Sequence, residues 1–293
     1  MLKNKFYTKL FHDFSKIIFY YYTFLFFVLC ILAFFCGFYF LLFDKRFPMN
    51  EIEDSPIFNE WFSDVANGML YDMSYSQKYF VTNLPEEYKQ IINKNSIFLD
   101  IGSGAGEASV FHLQNFFGKD VQIILSDLHP KIDLWKENTT KNISYIRNPV
   151  DATHLTNLNT IKYDVVSCFG SLHHMDENTI KQIFVQIRKN NKTMFIVEPR
   201  RFPNLLQFLH ILTLPVFGFI SYNFISLFGS TIVSENVAYS IPRFLLVPFF
   251  MTWDHILGAS RRYKLAEIEL FGNETGLKTN YYADALFDYY ILT

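Results

Sequence analysis

The sequence has no excess of charge and few cysteines, and both absences argue against certain classes of protein. The formal net charge of the 293-residue chain is −2, so no basic field favours binding to nucleic acid. The three cysteines, Cys30, Cys36 and Cys168, show neither metal-ligand spacing nor a disulfide framework, which favours a reducing compartment. The sequence shows no cluster of metal-ligand residue types, and we therefore predict a function that is independent of metal.

Charge is also missing from a long N-terminal stretch, since no charged residue lies between Ile17 and Phe43. This run exceeds the roughly 20 apolar residues that span a bilayer. It is too long for the apolar region of a signal peptide, and no small-residue cleavage site follows it. We predict a basic N-terminal segment and membrane anchor over residues 1–49, with a single transmembrane helix at about 17–43. The alternatives are a helix that lies in the membrane interface and a buried core helix.

An acidic, polar linker is predicted at residues 50–60, and a catalytic region at 61–293. Within that region a short apolar strand, Ile97–Ile101, runs into a cluster of glycines at 102, 104 and 106, and a helix follows. A strand, a glycine-rich turn and a helix in this order begin a doubly wound α/β domain, in which ligands bind where the strands end. The glycines permit a sharp turn and a close approach of the backbone to a ligand.

The spacing of the glycines indicates which ligand is favoured. A dinucleotide fingerprint has the pattern G-x-G-x-x-G, whereas this turn has G-x-G-x-G and places Glu107 at the last glycine position. The carboxylate of Glu107 would oppose a pyrophosphate, but it would not oppose a cationic sulfonium. The turn therefore favours a sulfonium ligand over a dinucleotide.

Two acidic residues follow the next predicted strands. Asp127 ends the strand that begins at Val121, about 20 residues beyond the glycines, where a carboxylate can accept hydrogen bonds from ribose hydroxyls. Asp151 follows a weaker strand at residues 144–149. The alternative for Asp127 is a turn or cap residue, and the alternative for Asp151 is the N-cap of the short segment after it.

The motifs D-I-G-S-G-A-G at residues 100–106 and G-S-L-H-H-M-D at residues 170–176 resemble two motifs of class I methyltransferases that use S-adenosyl-L-methionine (SAM), in particular the ubiquinone/menaquinone-type relatives. The resemblance implies an α/β fold: a Rossmann-like, seven-stranded, mostly parallel sheet with helices on both faces. It implies that Asp127 holds the ribose and Asp151 the adenine, and that His173 or, preferably, His174 serves as a general base near the methyl acceptor. The cofactor-binding residues that we predict are Asp100, Gly102, Ser103, Gly104, Gly106, Asp127, Leu128, Asp151, Ala152 and Phe169.

A strongly apolar insert at residues 202–251 separates the fifth predicted strand from the closing pair of strands. Its prolines and polar residues disfavour simple membrane spans, because each freed backbone group must be satisfied. We predict broken helices at the membrane surface or over the site, and a small, hydrophobic or lipid-like acceptor. The alternative is an internally packed helical cap for a small substrate. The stretch from Trp253 to Tyr263 resembles one in an uncharacterised branch of these methyltransferases that has a similar insert.

The side of the membrane on which the catalytic region lies is predicted from chemistry. More basic residues precede the apolar segment than follow it, which alone favours a cytoplasmic N-terminus. We nevertheless expect the catalytic region in the cytosol, because SAM is expected there. Two alternatives are an NAD(P)-dependent oxidoreductase, disfavoured by Glu107 and by the lack of a Tyr-x-x-x-Lys pair, and a non-catalytic membrane scaffold with a vestigial fold.

Overall fold

The structure is a computed structural model that describes residues 2–49, 84–92, 95–158, 160–228 and 237–293. The predicted linker at 50–60 lies outside the described residues. The chain divides into two compact units. One comprises residues 1–69 and 202–260, and the other comprises residues 70–201 and 261–293.

The described elements alternate between strand and helix from residue 97 to residue 199, and three consecutive helices then precede the last two strands. In chain order they are α1 (Leu2–Phe43), α2 (Glu86–Lys89), β1 (Ile97–Asp100), α3 (Glu107–Phe117), β2 (Gln122–Leu125), α4 (Ile132–Asn138), β3 (Ile143–Tyr145), a 3-10 segment (Ala152–Leu158), β4 (Val165–Phe169), a 3-10 turn (Leu172–His174), α5 (Glu177–Lys189), β5 (Thr193–Pro199), α6 (Asn204–Phe228), α7 (Val237–Arg261), α8 (Leu265–Thr275), β6 (Thr279–Ala283) and β7 (Phe287–Leu292).

The strands of the second unit form one seven-stranded sheet in the order β3-β2-β1-β4-β5-β7-β6. Strands β1 to β5 are parallel, whereas β7 runs antiparallel to both β5 and β6. The order reverses between β1 and β4, and the crevice at such a point is where doubly wound sheets bind ligands. The predicted seven-stranded, mostly parallel sheet is confirmed.

Apolar layers cover both faces of this sheet. On one face α5 and α8 contribute Ile180, Phe184 and Phe271 to a core cluster. On the other face α3 and α4 contribute Phe116 and Trp135 to a second cluster. Strand β4 is buried along its whole length, as expected for a central parallel strand covered on both faces.

The first unit is helical, and its core joins α1, α6 and α7 through residues such as Leu29, Ala33, Ile211, Leu214 and Ile256. Helix α1 begins at Leu2, earlier than the predicted start near residue 17. The helix therefore includes the basic segment as well as the apolar one. Among the described residues, the segment Lys16–Phe43 is long and apolar enough to cross a membrane, judged by length and composition.

The predicted insert corresponds to two helices of 25 residues each, α6 and α7. Helix α6 continues through Pro215 instead of ending there. Helix α7 extends to Arg261, ten residues beyond the predicted end of the insert, so most of the stretch from Trp253 to Tyr263 is helical.

Candidate functional site

The glycine turn lies at the carboxyl end of β1, between β1 and α3. Gly102, Gly104 and Gly106 have φ values of 63°, 51° and 90°, in the left-handed region that favours glycine. A Cβ at residue 106 would also lie 2.8 Å from Leu125 Cδ1, whereas a Cβ at residue 104 would meet nothing within 4 Å. Space is therefore open over the middle of the turn, where a ligand could approach the backbone.

Asp100 lies beneath this turn and is completely buried. Its carboxylate accepts hydrogen bonds from Ser103 Oγ at 2.6 Å and Ser167 Oγ at 2.8 Å, and a further one from Ser109. Burial raises the pKa of Asp100 to about 6, although the three hydroxyls oppose the rise. Asp100 therefore supports the turn from below, and Ser103 belongs to the same buried cluster.

Asp127 spans the glycine turn from the end of β2. Its Oδ2 accepts the Gly104 N–H at 2.9 Å, and its Oδ1 accepts the His129 N–H at 2.8 Å. The side chain is partly exposed, so its oxygens keep acceptor capacity for hydroxyl donors. Leu128, the next residue, is exposed. The predicted ribose acid thus lies against the glycine turn.

Asp151 is close to Asp127 along the sheet edge, because the Val150 N–H donates to the Asp127 carbonyl at 2.8 Å. Its carboxylate accepts hydrogen bonds from the N–H and the hydroxyl of Thr153, at 2.8 and 2.6 Å. The Thr153 hydroxyl is the main reason why the pKa of Asp151 is lowered. Asp151 therefore caps the 3-10 segment that begins at Ala152, which is the alternative that the sequence left open, and it does so next to the predicted ribose acid.

The end of β4 is joined directly to the glycine turn. Gly170 has a φ of 60°, and the following Ser171 Oγ donates to the Gly102 carbonyl at 2.8 Å. Phe169, the last residue of β4, stacks on His112 of α3 with 5.5 Å between the ring centroids. Burial lowers the pKa of His112 to about 4, so this imidazole is neutral near pH 7. The two sequence motifs, at 100–106 and 170–176, meet at one edge of the sheet.

His173 is buried and bound to a carboxylate from the neighbouring strand. Its Nδ1 lies 2.7 Å from Glu198 Oε2, and Glu198 Oε1 accepts the Leu172 N–H at 2.7 Å. Burial lowers the pKa of His173, and although burial alone would raise the pKa of Glu198, the imidazole and the amide hold it below its ordinary value. Both shifts agree with a neutral imidazole whose Nδ1–H donates to an ionised Glu198.

His174 is more accessible than His173, and its ring centroid lies 4.3 Å from that of His173. Its main-chain carbonyl accepts a hydrogen bond from Arg261 Nη2 at 3.0 Å, and the Met175 carbonyl accepts one from the Tyr263 hydroxyl at 2.8 Å. The backbone of this loop is therefore fixed by Arg261 at the end of α7 and by Tyr263 directly after it.

Several residues of the site were not predicted from the sequence. Glu198 orients His173, Ser171 joins the two motifs, and Trp135 Nε1 donates to the Gly104 carbonyl at 2.9 Å. The position of Glu198 at the end of a buried strand, directly before a proline, is a signal that could have identified it. Within the described part of the chain, no group of three or more His, Cys, Asp or Glu residues could hold a metal ion.

Comparison with known proteins gives a family model that matches part of the chain. Residues 99–192 match the family model described as a methyltransferase domain. No curated protein sequence matches the chain significantly. Similar solved structures include mitomycin 7-O-methyltransferase MmcR, which is 14% identical with a TM-score of 0.45 over 82% of this chain and 58% of that one.

Two further structures give similar values. Human N-acetylserotonin methyltransferase in complex with SAM is 12% identical, with a TM-score of 0.42 over 68% of this chain and 47% of that one. A putative O-methyltransferase from Nostoc punctiforme is 14% identical, with a TM-score of 0.43 over 81% of this chain and 69% of that one. The chain thus spans about half the length of the first two structures.

The family match includes the glycine turn, Asp127, Asp151 and both histidines. Residues 99–192 therefore match a methyltransferase domain, and such a domain implies S-adenosyl-L-methionine as its cofactor.

Proposed function

We propose that this protein is a membrane-anchored, SAM-dependent methyltransferase that acts on a small, hydrophobic or lipid-like acceptor, with residues 61–293 as its catalytic region. The observation that carries the proposal is the Asp127 carboxylate, which is bonded across a turn of three left-handed glycines at the point where the strand order reverses. When bound, SAM supplies an electrophilic methyl group on a sulfonium.

The roles of the cofactor residues follow from their positions. The backbone at Gly102, Gly104 and Gly106 would lie along the cofactor, and Asp127 would accept hydrogen bonds from its ribose hydroxyls. Asp151 would meet the adenine through Oδ2, which Thr153 does not bind and which lies 3.1 Å from His154 Nδ1. Ser103, Leu128, Ala152 and Phe169 are contiguous with these residues and would complete the walls.

His174 is our choice as the general base for an acceptor that must lose a proton. An accessible imidazole can accept a proton from an acceptor hydroxyl. His173 would instead position the loop, because its Nδ1 is committed to Glu198. Alignment of the acceptor and exclusion of water supply the rest of the catalysis.

The membrane anchor and the hydrophobic acceptor are supported by the helical unit. Helix α1 has no charged residue from Ile17 to Phe43, and large apolar side chains such as Phe24 and Phe27 are exposed along it. An anchored enzyme meets acceptors that are dissolved in the bilayer, which favours a lipid-like acceptor. We place the catalytic region on the cytosolic side, where SAM is available.

A methyl-transfer assay tests this proposal. Full-length protein in mild detergent, mixed with SAM that carries a labelled methyl group and a membrane lipid extract, should transfer label to the organic phase. Asp127→Asn should weaken SAM binding by about tenfold or more, because charged hydrogen bonds contribute about 1.5–3 kcal/mol. Asp133→Asn is the matched control, since Asp133 is an exposed acid paired only with Lys136 among the contacts described.

The outcomes separate the alternatives. Unchanged SAM affinity in the Asp127→Asn variant would contradict the ribose assignment. Binding of NADH instead of SAM would favour the oxidoreductase. SAM binding without transfer to lipid, but with transfer to water-soluble acceptors, would contradict the lipid-like acceptor alone.

A further inference from the structure

The described exposed side chains of α6 are apolar apart from Thr213. The exposed large side chains on this helix are Leu205, Leu206, Leu209, Val216, Phe217 and Ile220. Thr213 is also exposed, but its hydroxyl donates to the His210 carbonyl of the same helix at 2.7 Å. No Asp, Glu, Lys or Arg occurs between Asn204 and Phe228. A helix whose outer face meets water normally carries polar residues on that face.

Helix α6 packs closely on α1, the predicted anchor. A Cβ at Gly37 of α1 would lie 2.9 Å from Phe208 Cδ2 and 3.6 Å from Ile211 Cγ2, so the glycine permits the close approach. Ala33, one turn earlier on α1, is completely buried. Small residues spaced four apart are typical of helix contacts within membranes.

Threonine hydroxyls in the helical unit of residues 1–69 and 202–260 donate hydrogen bonds to main-chain carbonyls one turn earlier in their own helices. Thr23 donates to Phe19, and Thr252 donates to Pro248, each at about 2.8 Å or less. Gln207 is completely buried and is satisfied at both ends, since its Oε1 accepts the Phe202 N–H and its Nε2 donates to the Ala259 carbonyl. Such internal pairing is what a hydrocarbon environment requires, because no water is available there.

The main chain of α6 forms a helix of 25 residues, and Asn204–Gly218 is its apolar part among the described residues. At about 1.5 Å per residue its 25 residues extend about 37 Å, compared with about 30 Å for the hydrocarbon core. Pro215 does not end the helix, and proline is tolerated in transmembrane helices. Residues 70–201 and 261–293 belong to one unit, so a chain that crosses in α6 must return. Helix α7 provides the return, with Arg243 as the single charged residue from Val237 to Trp253.

We infer that α6 lies in the hydrocarbon of the bilayer beside α1, and that α7 returns the chain to the side from which α6 entered. The protein is then held by a membrane-embedded helical unit and not by an N-terminal anchor alone. This inference rests on the membrane anchoring in the proposed function, and it replaces the expectation of broken helices at the membrane surface.

Photo-crosslinking from single positions tests the inference. The photoreactive residue p-benzoylphenylalanine replaces Phe217 in full-length protein in phosphatidylcholine vesicles, and lipid adducts are measured by mass spectrometry after irradiation. Phe27 of α1 is the positive control and Leu270 of α8 is the matched negative control; the three side chains are 67%, 61% and 51% exposed. All three positions are outward-facing, so the substitution should leave the fold intact, which circular dichroism and denaturant unfolding of each variant verify.

The expected result is a yield of lipid adduct at position 217 that is comparable to that at position 27 and about tenfold or more above that at position 270, because lipid tails contact only embedded surfaces. Adducts at position 27 with background yield at position 217 would overturn the inference and leave the α1 anchor intact. Background yield at both positions would overturn the inference together with the anchoring. Neither outcome bears on SAM binding, so failure of the methyltransferase assignment would be seen separately.

Discussion

Two buried carboxylates at the same edge of the sheet differ in their partners, and the difference reverses the direction of their pKa shifts. Asp100 at the end of β1 is surrounded by the neutral hydroxyls of three serines, and burial raises its pKa to about 6. Glu198 near the end of β5 binds the His173 imidazole and the Leu172 amide, and its pKa is lowered despite equal burial. Burial favours the protonated acid at both positions, and at Glu198 the imidazole and the amide reverse that effect.

The largest effect is expected from removing the Glu198 carboxylate. Glu198→Ala leaves the Leu172 N–H and the His173 Nδ1–H without their acceptor in a buried site. The free energy of unfolding should fall by about 3–5 kcal/mol, as for other broken buried pairs. Denaturant unfolding in mild detergent, followed by tryptophan fluorescence, measures the change.

Glu198→Gln sharpens this experiment because it keeps the shape and one carbonyl acceptor. It should lose less than half of what the alanine variant loses. Equal losses in both variants would show that ionisation of Glu198 matters more than the hydrogen bonds, and losses near zero would contradict the geometry of the pair.

The second effect concerns pH: the contributions of Asp100 and Glu198 to the free energy of unfolding should change in opposite directions as pH rises. The folded state holds the Asp100 proton to higher pH than the unfolded chain does, so the contribution of Asp100 to stability should fall as pH rises from about 4 to about 6, by about 3 kcal/mol. The lowered pKa of Glu198 gives a contribution that is present above the ordinary range of a glutamate and is lost as pH falls below it.

The free energy of unfolding of the wild type, Asp100→Asn and Glu198→Gln should be measured between about pH 3.5 and about pH 7. This range brackets the interval from about pH 4 to about pH 6 in which the Asp100 contribution changes, so the measurement separates the two groups. Asp100→Asn should remove the loss between about pH 4 and 6, and Glu198→Gln should reduce the loss in more acidic solution. A wild-type curve that is unchanged by Asp100→Asn would contradict a raised pKa at Asp100.

A smaller loss of stability is expected when the hydrogen bond between the motifs at residues 100–106 and 170–176 is removed. Ser171→Ala removes the donor to the Gly102 carbonyl and should lower the free energy of unfolding by about 1 kcal/mol. Ser144→Ala, on the exposed face of β3, is the matched control and should change stability little. If both variants lose the same free energy, the Ser171 bond contributes nothing of its own.

The features predicted from the sequence were local in the chain. The glycine turn and Asp100 lie within seven residues of one another, and the φ values of the glycines and the burial of Asp100 follow from that one motif. Asp127 was predicted by its distance from the glycines, and the structure places it against Gly104. The seven-stranded sheet was implied by the family resemblance that the motifs at residues 100–106 and 170–176 carry.

The unpredicted features depend on residues that are distant in sequence. Glu198 lies 25 residues after His173, and only the pairing of β4 with β5 brings the two strand ends together. The expected break at Pro215 did not occur, because the packing of α6 on α1 and α7 overrides the local preference of proline. Asp151 was assigned to the adenine, yet its local bonds to Thr153 show how strongly it also caps its own segment.

Calorimetric titration of full-length protein in detergent with SAM, S-adenosylhomocysteine and NADH tests the central claim most directly. The account predicts binding of the first two ligands and no binding of NADH, since the turn has Glu107 where a dinucleotide fingerprint has glycine. Absence of binding by both SAM and S-adenosylhomocysteine would contradict the account and would make the glycine turn a purely structural feature.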